Sequence, residues 1–205
     1  MNTAATRSEF LAVMRRLEPE PPHVLQVARL ALRLYDELAP LHQLGGEERL
    51  LLEAAACLHD IGWSVAPDGA KHHKESARLI RAQRWENFSA AQIELIALIA
   101  RYHRKSPPKL AHEEFAVLNV VDRSTVSRLA ALLRVADGLD RRHLQWVNDL
   151  SVQISATKVI VTLDARDPVE MEIAAAQKKA DLFGSVFARE LEFHRSPGAA
   201  ESREA

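Results

Sequence analysis

The sequence predicts a mainly α-helical protein, in which a helical bundle is followed by a small α/β appendage. Apolar residues recur at helical spacing through most of the chain, and from Val152 onward they alternate with polar residues. A length of 205 residues is enough for one substantial domain with an appendage. We therefore predict a helical domain at 1–148, an α/β subdomain at 149–195 that contains a β-hairpin, and a disordered tail at 196–205.

Pro and Gly residues separate four predicted helices in the first half of the chain. Val27, Leu30 and Leu34 share one face of the second of these helices. Gly62 follows the third helix, and glycine commonly ends a helix at this position. The four predicted spans are 8–18, 23–39, 47–61 and 73–84.

Three further helices are predicted before the appendage. Ser89 is expected to cap a helix that turns Ile96 and Ile99 inward and ends near Lys105. A short helix and then a long one follow, over 113–118 and 122–139.

In the appendage, apolar and polar residues alternate in the way that is typical of half-buried strands. The alternation covers 152–154, 159–163 and 169–173, and Ala156-Thr157 is the predicted turn between the first two strands. A helix at 174–188 and a last strand at 191–193 complete the predicted elements.

The composition excludes several classes of protein. A formal net charge of -1 gives the whole chain no general attraction to nucleic acid or to a membrane surface. The single cysteine, Cys57, excludes a disulfide framework and a cysteine-based zinc site. The sequence contains neither a signal-peptide core nor an apolar run that would span a bilayer, so we expect a cytoplasmic protein.

The pair His59-Asp60 stands at the end of a very apolar helical segment. Buried polar groups are costly unless something pairs with them. Side chains of the same types fall on the inward faces of neighbouring helices, at His23, His103 and Asp137. The set His23, His59-Asp60 and Asp137 offers two imidazoles and two carboxylates, which suit a divalent ion such as Mn, Fe, Co, Ni or Zn.

Simpler explanations exist for each residue taken alone. A lone inward histidine is more often a hydrogen-bonded core residue than a metal ligand. Arg134 or Arg141 could neutralise Asp137 without any metal. The ordered series across four helices is harder to explain in this way, and it favours a metal site.

That series, His23, His59-Asp60 and Asp137, resembles the signature of the HD-domain metal-dependent phosphohydrolases. The wider pattern resembles the C-terminal HD domain of the exopolyphosphatase/guanosine pentaphosphatase (Ppx/GppA) family, which implies a helical HD-domain bundle. The resemblance runs from about His23 to Phe193. The segments that carry it are Leu41-His42 with Glu47–Arg49, Leu58–Gly62, His72–Ser76, Ala100–Lys105, Leu132–Arg141 and Lys178–Phe183.

The resemblance implies two more ligands, which fall on His73 and His103, with His72 as an alternative to His73. Glu75 stands where the family segment commonly has another histidine, which puts a secondary site in doubt. One or two divalent ions are expected, with Mg as an alternative to the transition metals. The predicted metal ligands are His23, His59, Asp60, His73, His103 and Asp137.

The resemblance implies hydrolysis of a phosphate ester or anhydride in a nucleotide or polyphosphate-like substrate. A divalent ion would serve this reaction because it lowers the pKa of bound water. The predicted catalytic residues are His59, Asp60, Arg104 and Lys105. Cations close to the ligands are predicted to bind substrate phosphates, and these are Arg101, Lys74, Arg134 and Arg141.

The remaining lysines and histidines near the predicted site are assigned no firm role. Lys178-Lys179 is interpreted as a solvated helix face rather than a phosphate contact, and His143 as a residue of the site mouth or of the surface. The remaining histidines are expected in loops or at termini, and these are His42, His112 and His194.

Several functions stay open at this stage. In full-length enzymes of the resembled family, phosphate-chain hydrolysis is attributed to an actin-like module, which we expect this chain to lack. The chain is then either a stand-alone phosphohydrolase or a regulatory module that binds polyphosphate or (p)ppGpp, or one that associates with a separate actin-like phosphatase module. A purely structural helical domain is a third alternative, and the long amphipathic helices also allow a homodimer.

Overall fold

The computed structural model describes residues 3–66 and 68–196 as a helical bundle that carries a three-stranded sheet at its C-terminal end. The mainly α fold with a small α/β appendage is therefore confirmed. Of the predicted tail, only Ser196 lies within the described residues. The helices are α1 Thr3–Leu17, α2 Pro21–Glu37, α3 Ala39–His42, α4 Gly46–Leu58, α5 His72–Ala82, α6 Ala90–Arg101, α7 Glu113–Ala116, α8 Val120–Gly138, α9 Glu170–Lys179 and α10 Asp181–Phe187.

Local signals explain where several of these helices begin. Helix α2 begins with two prolines, which suit the first turn because its backbone N–H groups have no helical partner. Ser89 caps α6 as predicted, since its hydroxyl accepts from the backbone N–H of Gln92 at 3.2 Å and the Gln92 side chain accepts from the backbone N–H of Ser89 at 2.9 Å. Asn119 caps α8, since its side-chain oxygen accepts from the backbone N–H of Asp122 at 2.9 Å. This helix starts two residues before its predicted beginning.

The sheet has the strand order β1-β2-β3, with β1 at Val147–Ile154, β2 at Lys158–Ala165 and β3 at Glu190–Arg195. Strands β1 and β2 form an antiparallel hairpin, and β2 pairs in parallel with β3. The inward residues of β2 are those of the predicted alternation, Val159, Val161 and Leu163.

The predicted strand at 169–173 is wrong, because this segment forms the start of α9. Val169 and Ile173 pack on the core from one helix face four residues apart, whereas Met171 is 57% exposed. The surrounding glutamates and alanines favour a helix, and a five-residue alternation is too short to outweigh them. The predicted helix at 174–188 is divided between α9 and α10.

The core lies between α2, α4, α6 and α8, and their inward faces are almost entirely aliphatic. Strand β1 packs on α2, where Arg33 donates to Asp149 and to the carbonyl of Leu150 at 3.0 and 3.1 Å. A single cluster of buried apolar residues includes side chains from the helices and from the sheet. The division at residue 148 stays a prediction. No helix in the described part of the chain combines the length and the apolar character needed to cross a bilayer.

Two glycines, Gly62 and Gly138, allow neighbouring backbone segments to approach closely. A Cβ atom on Gly62 would lie 2.1 Å from the carbonyl oxygen of His72, at the start of α5. A Cβ atom on Gly138 would lie 2.6 Å from Cα of Ala176, in α9. These contacts fix α5 against the 3₁₀ turn that follows Asp60, and α9 against the end of α8.

Candidate metal centre

Six side chains from five helices or from the turns next to them converge inside the bundle. They form three overlapping groups, within each of which the potential ligand atoms lie no more than 4.8 Å apart. Five of the six residues are buried and Asp137 is partly buried. The groups are His23, His59 and Asp60; His59, His103 and Asp137; and Asp60, His72 and His103.

The Asp60 carboxylate lies at the middle of this cluster. Its Oδ1 is 3.1 Å from Nε2 of His72 and 3.5 Å from Nε2 of His103. Its Oδ2 is 3.6 Å from Nε2 of His59 and 3.9 Å from Nε2 of His23. The four imidazoles therefore turn the same ring nitrogen toward one carboxylate.

The other ring nitrogen, Nδ1, of each of these imidazoles lies against an oxygen acceptor. A hydrogen bond donated by Nδ1 fixes the tautomer and leaves a lone pair on Nε2, as in histidines that bind metals. Three of the rings use the carbonyl three residues earlier in the chain. These pairs are His59 with Ala56 at 2.7 Å, His103 with Ala100 at 2.7 Å, and His72 with Gly69 at 3.1 Å.

The fourth ring, that of His23, is oriented by a carboxylate. Its Nδ1 lies 2.9 Å from Oδ2 of Asp140, whose Oδ1 accepts from the backbone N–H of Gln145 at 2.8 Å. Burial alone would lower the pKa of His23, but the nearby Asp137 and Asp140 carboxylates outweigh it and raise that pKa to about 10. A carboxylate–histidine pair of this kind commonly supports a metal ligand from behind.

Three buried atoms of the cluster have no hydrogen-bond partner among the described residues, namely Nε2 of His23, Nε2 of His59 and Oδ1 of Asp60. The 3.1 Å contact of Oδ1 with Nε2 of His72 is not a hydrogen bond, because a neutral ring that donates through Nδ1 has no proton on Nε2. Buried polar atoms nearly always have a partner, so three such atoms in one place require an explanation. Coordination of a divalent ion would satisfy all three, and imidazole with carboxylate is a ligand set that transition metals favour. The residues therefore fit a divalent metal ion.

His23 is protonated without metal, because the two carboxylates beside it outweigh burial and raise its pKa to about 10, and it would release a proton on binding an ion. The protonation states of His59, His103 and Asp60 already suit a metal ligand. Burial lowers the pKa of His59 and, more strongly, that of His103, so both rings are neutral near pH 7. Burial alone would raise the pKa of Asp60, but the adjacent His59 and His72 hold it below its ordinary value. Neutral imidazoles and ionised carboxylates are the forms that bind metal.

Lys179, at the end of α9, forms an ion pair with Oδ2 of Asp137. Burial alone would raise the pKa of Asp137, and the Lys179 ammonium instead holds it well below its ordinary value. Neither of the two arginines considered as partners from the sequence makes this contact. Arg134 is buried and donates to three backbone carbonyls and to Asp181, and Arg141 is exposed.

The structure distinguishes the neighbours His72 and His73. His72 belongs to one of the ligand groups, whereas His73 belongs to none of the groups formed by the described residues. The centroid of the His73 ring lies 6.4 Å from that of His103, and burial together with the nearby Arg104 lowers the pKa of His73 to about 4. His73 lines a separate pocket instead.

The predicted catalytic and substrate-binding cations occupy different places. Arg104 lies at the centre, with Nη1 3.0 and 3.1 Å from the two ring nitrogens of His72. Lys74, Arg101 and Lys105 line the pocket that contains His73, which has a volume of about 260 Å³. Arg134 is committed to protein partners, as described above.

A larger cleft of about 550 Å³ reaches His23 and Asp60 from the surface. The ring of His143 stacks on His23 at 3.7 Å between centroids, so this histidine lies at the mouth of the centre. Trp63 stacks on His72 at 4.5 Å. The remaining residues of the cleft wall are Glu18, Pro19 and Glu20. Trp63 and the two glutamates were not identified from the sequence, because no motif marks them.

With this geometry established, comparison with known proteins shows the family. The family model of the Ppx/GppA phosphatase, domain III, matches residues 10–179. The chain belongs to this Ppx/GppA family. The matched residues contain all six side chains of the centre and Lys179, and the resemblance found from the sequence motifs is confirmed.

A curated relative of this Ppx/GppA domain comes from Photobacterium profundum. It is a guanosine-5'-triphosphate,3'-diphosphate pyrophosphatase, and it is 28% identical to this chain over 155 residues. The match covers 75% of this chain and 30% of the relative. The chain thus spans less than a third of the length of that protein.

Proposed function

We propose that this Ppx/GppA-family chain is a metal-dependent phosphohydrolase of the HD type, which acts on a phosphate ester or anhydride of a nucleotide or polyphosphate-like substrate. The observation that carries the proposal is the arrangement around Asp60, where four imidazoles bond through Nδ1 to oxygen acceptors and turn Nε2 toward one carboxylate. Membership in a phosphatase family supports the same class of reaction.

The proposed ligands are drawn from the three overlapping groups. Asp60, His59 and His103 each belong to two groups, so each could bind one ion alone or contribute to two neighbouring ions. A divalent ion bound there would supply a Lewis acid and a water molecule of lowered pKa. His72 takes the role that the resemblance assigned to His73. The proposed set is His23, His59, Asp60, His72, His103 and Asp137.

The neighbouring residues have distinct proposed roles. Asp140 holds the His23 ring in the orientation that directs Nε2 inward. Lys179 keeps Asp137 ionised. The Arg104 guanidinium lies against His72, where it can stabilise negative charge on a phosphoryl group at the centre.

The experiment is a hydrolysis assay on protein purified without a chelator, with nucleotides, pyrophosphate and short polyphosphates as substrates. We expect phosphate release that depends on Mn, Fe, Co, Ni or Zn and that is abolished in the double variant His59→Ala with Asp60→Ala. His194→Ala is the matched control, because the side chain of His194 is 59% exposed. Absence of turnover with every metal and substrate, or full turnover by the double variant, would contradict the proposal.

The second candidate is a regulatory module that binds polyphosphate or (p)ppGpp without hydrolysing it, alone or with a separate actin-like phosphatase module. It is favoured by the position of Lys74, Arg101 and Lys105, which line a pocket apart from the cleft that reaches Asp60. Calorimetric titration with these anions distinguishes the two functions. Tight binding without release of phosphate supports the regulatory module, whereas metal-dependent turnover supports the hydrolase.

A further inference from the structure

Three cations from consecutive elements surround the 260 Å³ pocket beside the metal centre. Lys74 belongs to α5, Arg101 ends α6, and Lys105 lies in the loop that follows. Lys74 and Lys105 are exposed and form no ion pair with any described residue. Arg101 pairs with Glu114 at 2.6 Å, and the Glu114 side chain is 47% exposed. Two of the three charges are therefore free to bind a ligand.

The rest of the pocket wall offers further polar groups. The hydroxyl of Tyr102 lies 2.9 Å from Nδ1 of His112, and Ser106 adds a second hydroxyl. His73 is only 7% exposed, and its Nδ1 has no hydrogen-bond partner among the described residues. None of the residues that line the pocket carries a carboxylate. Such a wall suits a ligand that accepts hydrogen bonds and carries negative charge.

The loop that carries Lys105 is held in place from inside the protein. Lys105 has a φ of 58°, a left-handed conformation that non-glycine residues seldom adopt. The buried Arg134 guanidinium donates to the carbonyl of Lys105 at 3.1 Å and to that of Tyr102 at 3.2 Å. The pocket is therefore formed before any ligand arrives, and this lowers the entropy lost on binding.

We propose that this pocket binds a phosphoryl group and is an anion-binding subsite separate from the metal centre. Its volume, its cations and its hydroxyls suit a small oxyanion that carries more than one negative charge. The His73 ring stands 6.4 Å from the His103 ring of the centre, so one ligand with two phosphoryl groups can reach both places. The role of the pocket in substrate binding rests on the proposed function, whereas its affinity for a phosphoryl group does not.

The test is calorimetric titration of the full chain with inorganic pyrophosphate. The protein is titrated first as it is purified and then in the presence of a chelator, which removes any metal from the centre. We expect binding under both conditions. The affinity of the double variant Lys74→Gln with Lys105→Gln should be at least about tenfold lower than that of the wild type, because each lysine contributes a charge-assisted contact. The control, Lys71→Gln with Lys178→Gln, removes the same charge from exposed residues outside the pocket, and its affinity should stay within about twofold of wild type. Ser106→Asp should abolish binding, because it adds a carboxylate to the wall.

The inference is overturned if the wild-type chain binds no pyrophosphate in chelator, or if the pocket variant and the control lose affinity equally. The second result would mean that the anion is attracted only by diffuse charge. Circular dichroism of each variant establishes that it is folded. Metal content and hydrolysis, measured in parallel, show separately whether the proposed metal-dependent function fails.

Discussion

Two regions of this bundle contain buried histidines whose ring nitrogens have different partners. At His42 both ring nitrogens are engaged with the backbone, since Nε2 lies 2.7 Å from the carbonyl of Tyr35 and Nδ1 accepts from the N–H of Leu44 at 2.9 Å. Around Asp60, Nδ1 of each ring meets an oxygen acceptor while Nε2 faces other potential ligands. Burial alone therefore does not identify a functional histidine in this protein. The environment of the second nitrogen distinguishes the proposed metal ligands from His42.

The substitution Asp60→Asn tests this difference most severely. It keeps the shape of the side chain and removes the charge that four imidazoles share, so affinity for a transition metal should fall at least about a hundredfold. Competition against a chelator of known affinity measures the change.

His42→Gln is the matched control from the other region. It should lower the free energy of unfolding by about 1–3 kcal/mol, because buried backbone groups lose a partner, and leave metal affinity unchanged. Loss of metal affinity in His42→Gln, or its retention in Asp60→Asn, would show that the two regions do not differ in metal binding.

Gly62→Ala should disrupt the support of the centre. Its new methyl group would lie 2.1 Å from the carbonyl oxygen of His72, so α5 must move at a cost of about 2–3 kcal/mol of stability. Gly46→Ala is the control, because a Cβ atom there meets nothing within 4 Å. Urea denaturation and metal affinity are measured together. Equal effects of the two substitutions would show that the close approach at Gly62 does not support His72.

Asp140→Asn weakens the support of His23 without touching the other ligands. Metal affinity should fall about tenfold to a hundredfold, the usual range for a residue that orients a ligand from behind. Asp164→Asn removes the same charge from an exposed position of β2 and should have no effect. An unchanged affinity in Asp140→Asn would mean that the orientation of His23 does not depend on this carboxylate.

Glu18→Gln should change how stability depends on pH. Burial raises the pKa of Glu18 from 4.5 to about 7, so the folded state favours the protonated carboxyl, and this residue makes the protein less stable as pH rises from 4.5 to 7. In chelator, Glu18→Gln should stabilise the protein by about 1–2 kcal/mol at pH 8 and have little effect at pH 4. Thermal unfolding at both pH values measures it. A stabilisation that is the same at both values would argue against titration of Glu18.

Much of the fold could be predicted from the sequence because its signals are local. Prolines and glycines mark the ends of the helices, and apolar residues on α2 and α8 recur at helical spacing. The segment from Val169 to Ile173 was wrongly predicted as a strand, since apolar residues four apart satisfy both a strand and a helix pattern. The pairing of β2 with β3 depends on contacts between distant segments, and no local signal indicates its direction.

The candidate site shows the same limit. His23, His59 and Asp137 could be selected because they extend apolar helix faces, but His72 and His73 could not be ranked. Helix α5 starts one residue before its predicted beginning, and a shift of one residue turns a helix by about 100°. Asp140 and Lys179 act through partners 117 and 42 residues away in the chain, and no spacing rule connects such positions.

A metal site around Asp60 should be visible in a titration of the chelator-treated chain with a transition metal. We predict saturable binding of one or two transition-metal ions per chain, with proton release from His23, whose pKa of about 10 keeps it protonated without metal. The double variant His59→Ala with Asp60→Ala should bind none at the same concentrations. Wild-type protein that binds no ion, or a double variant that binds as many, would rule out a metal site around Asp60.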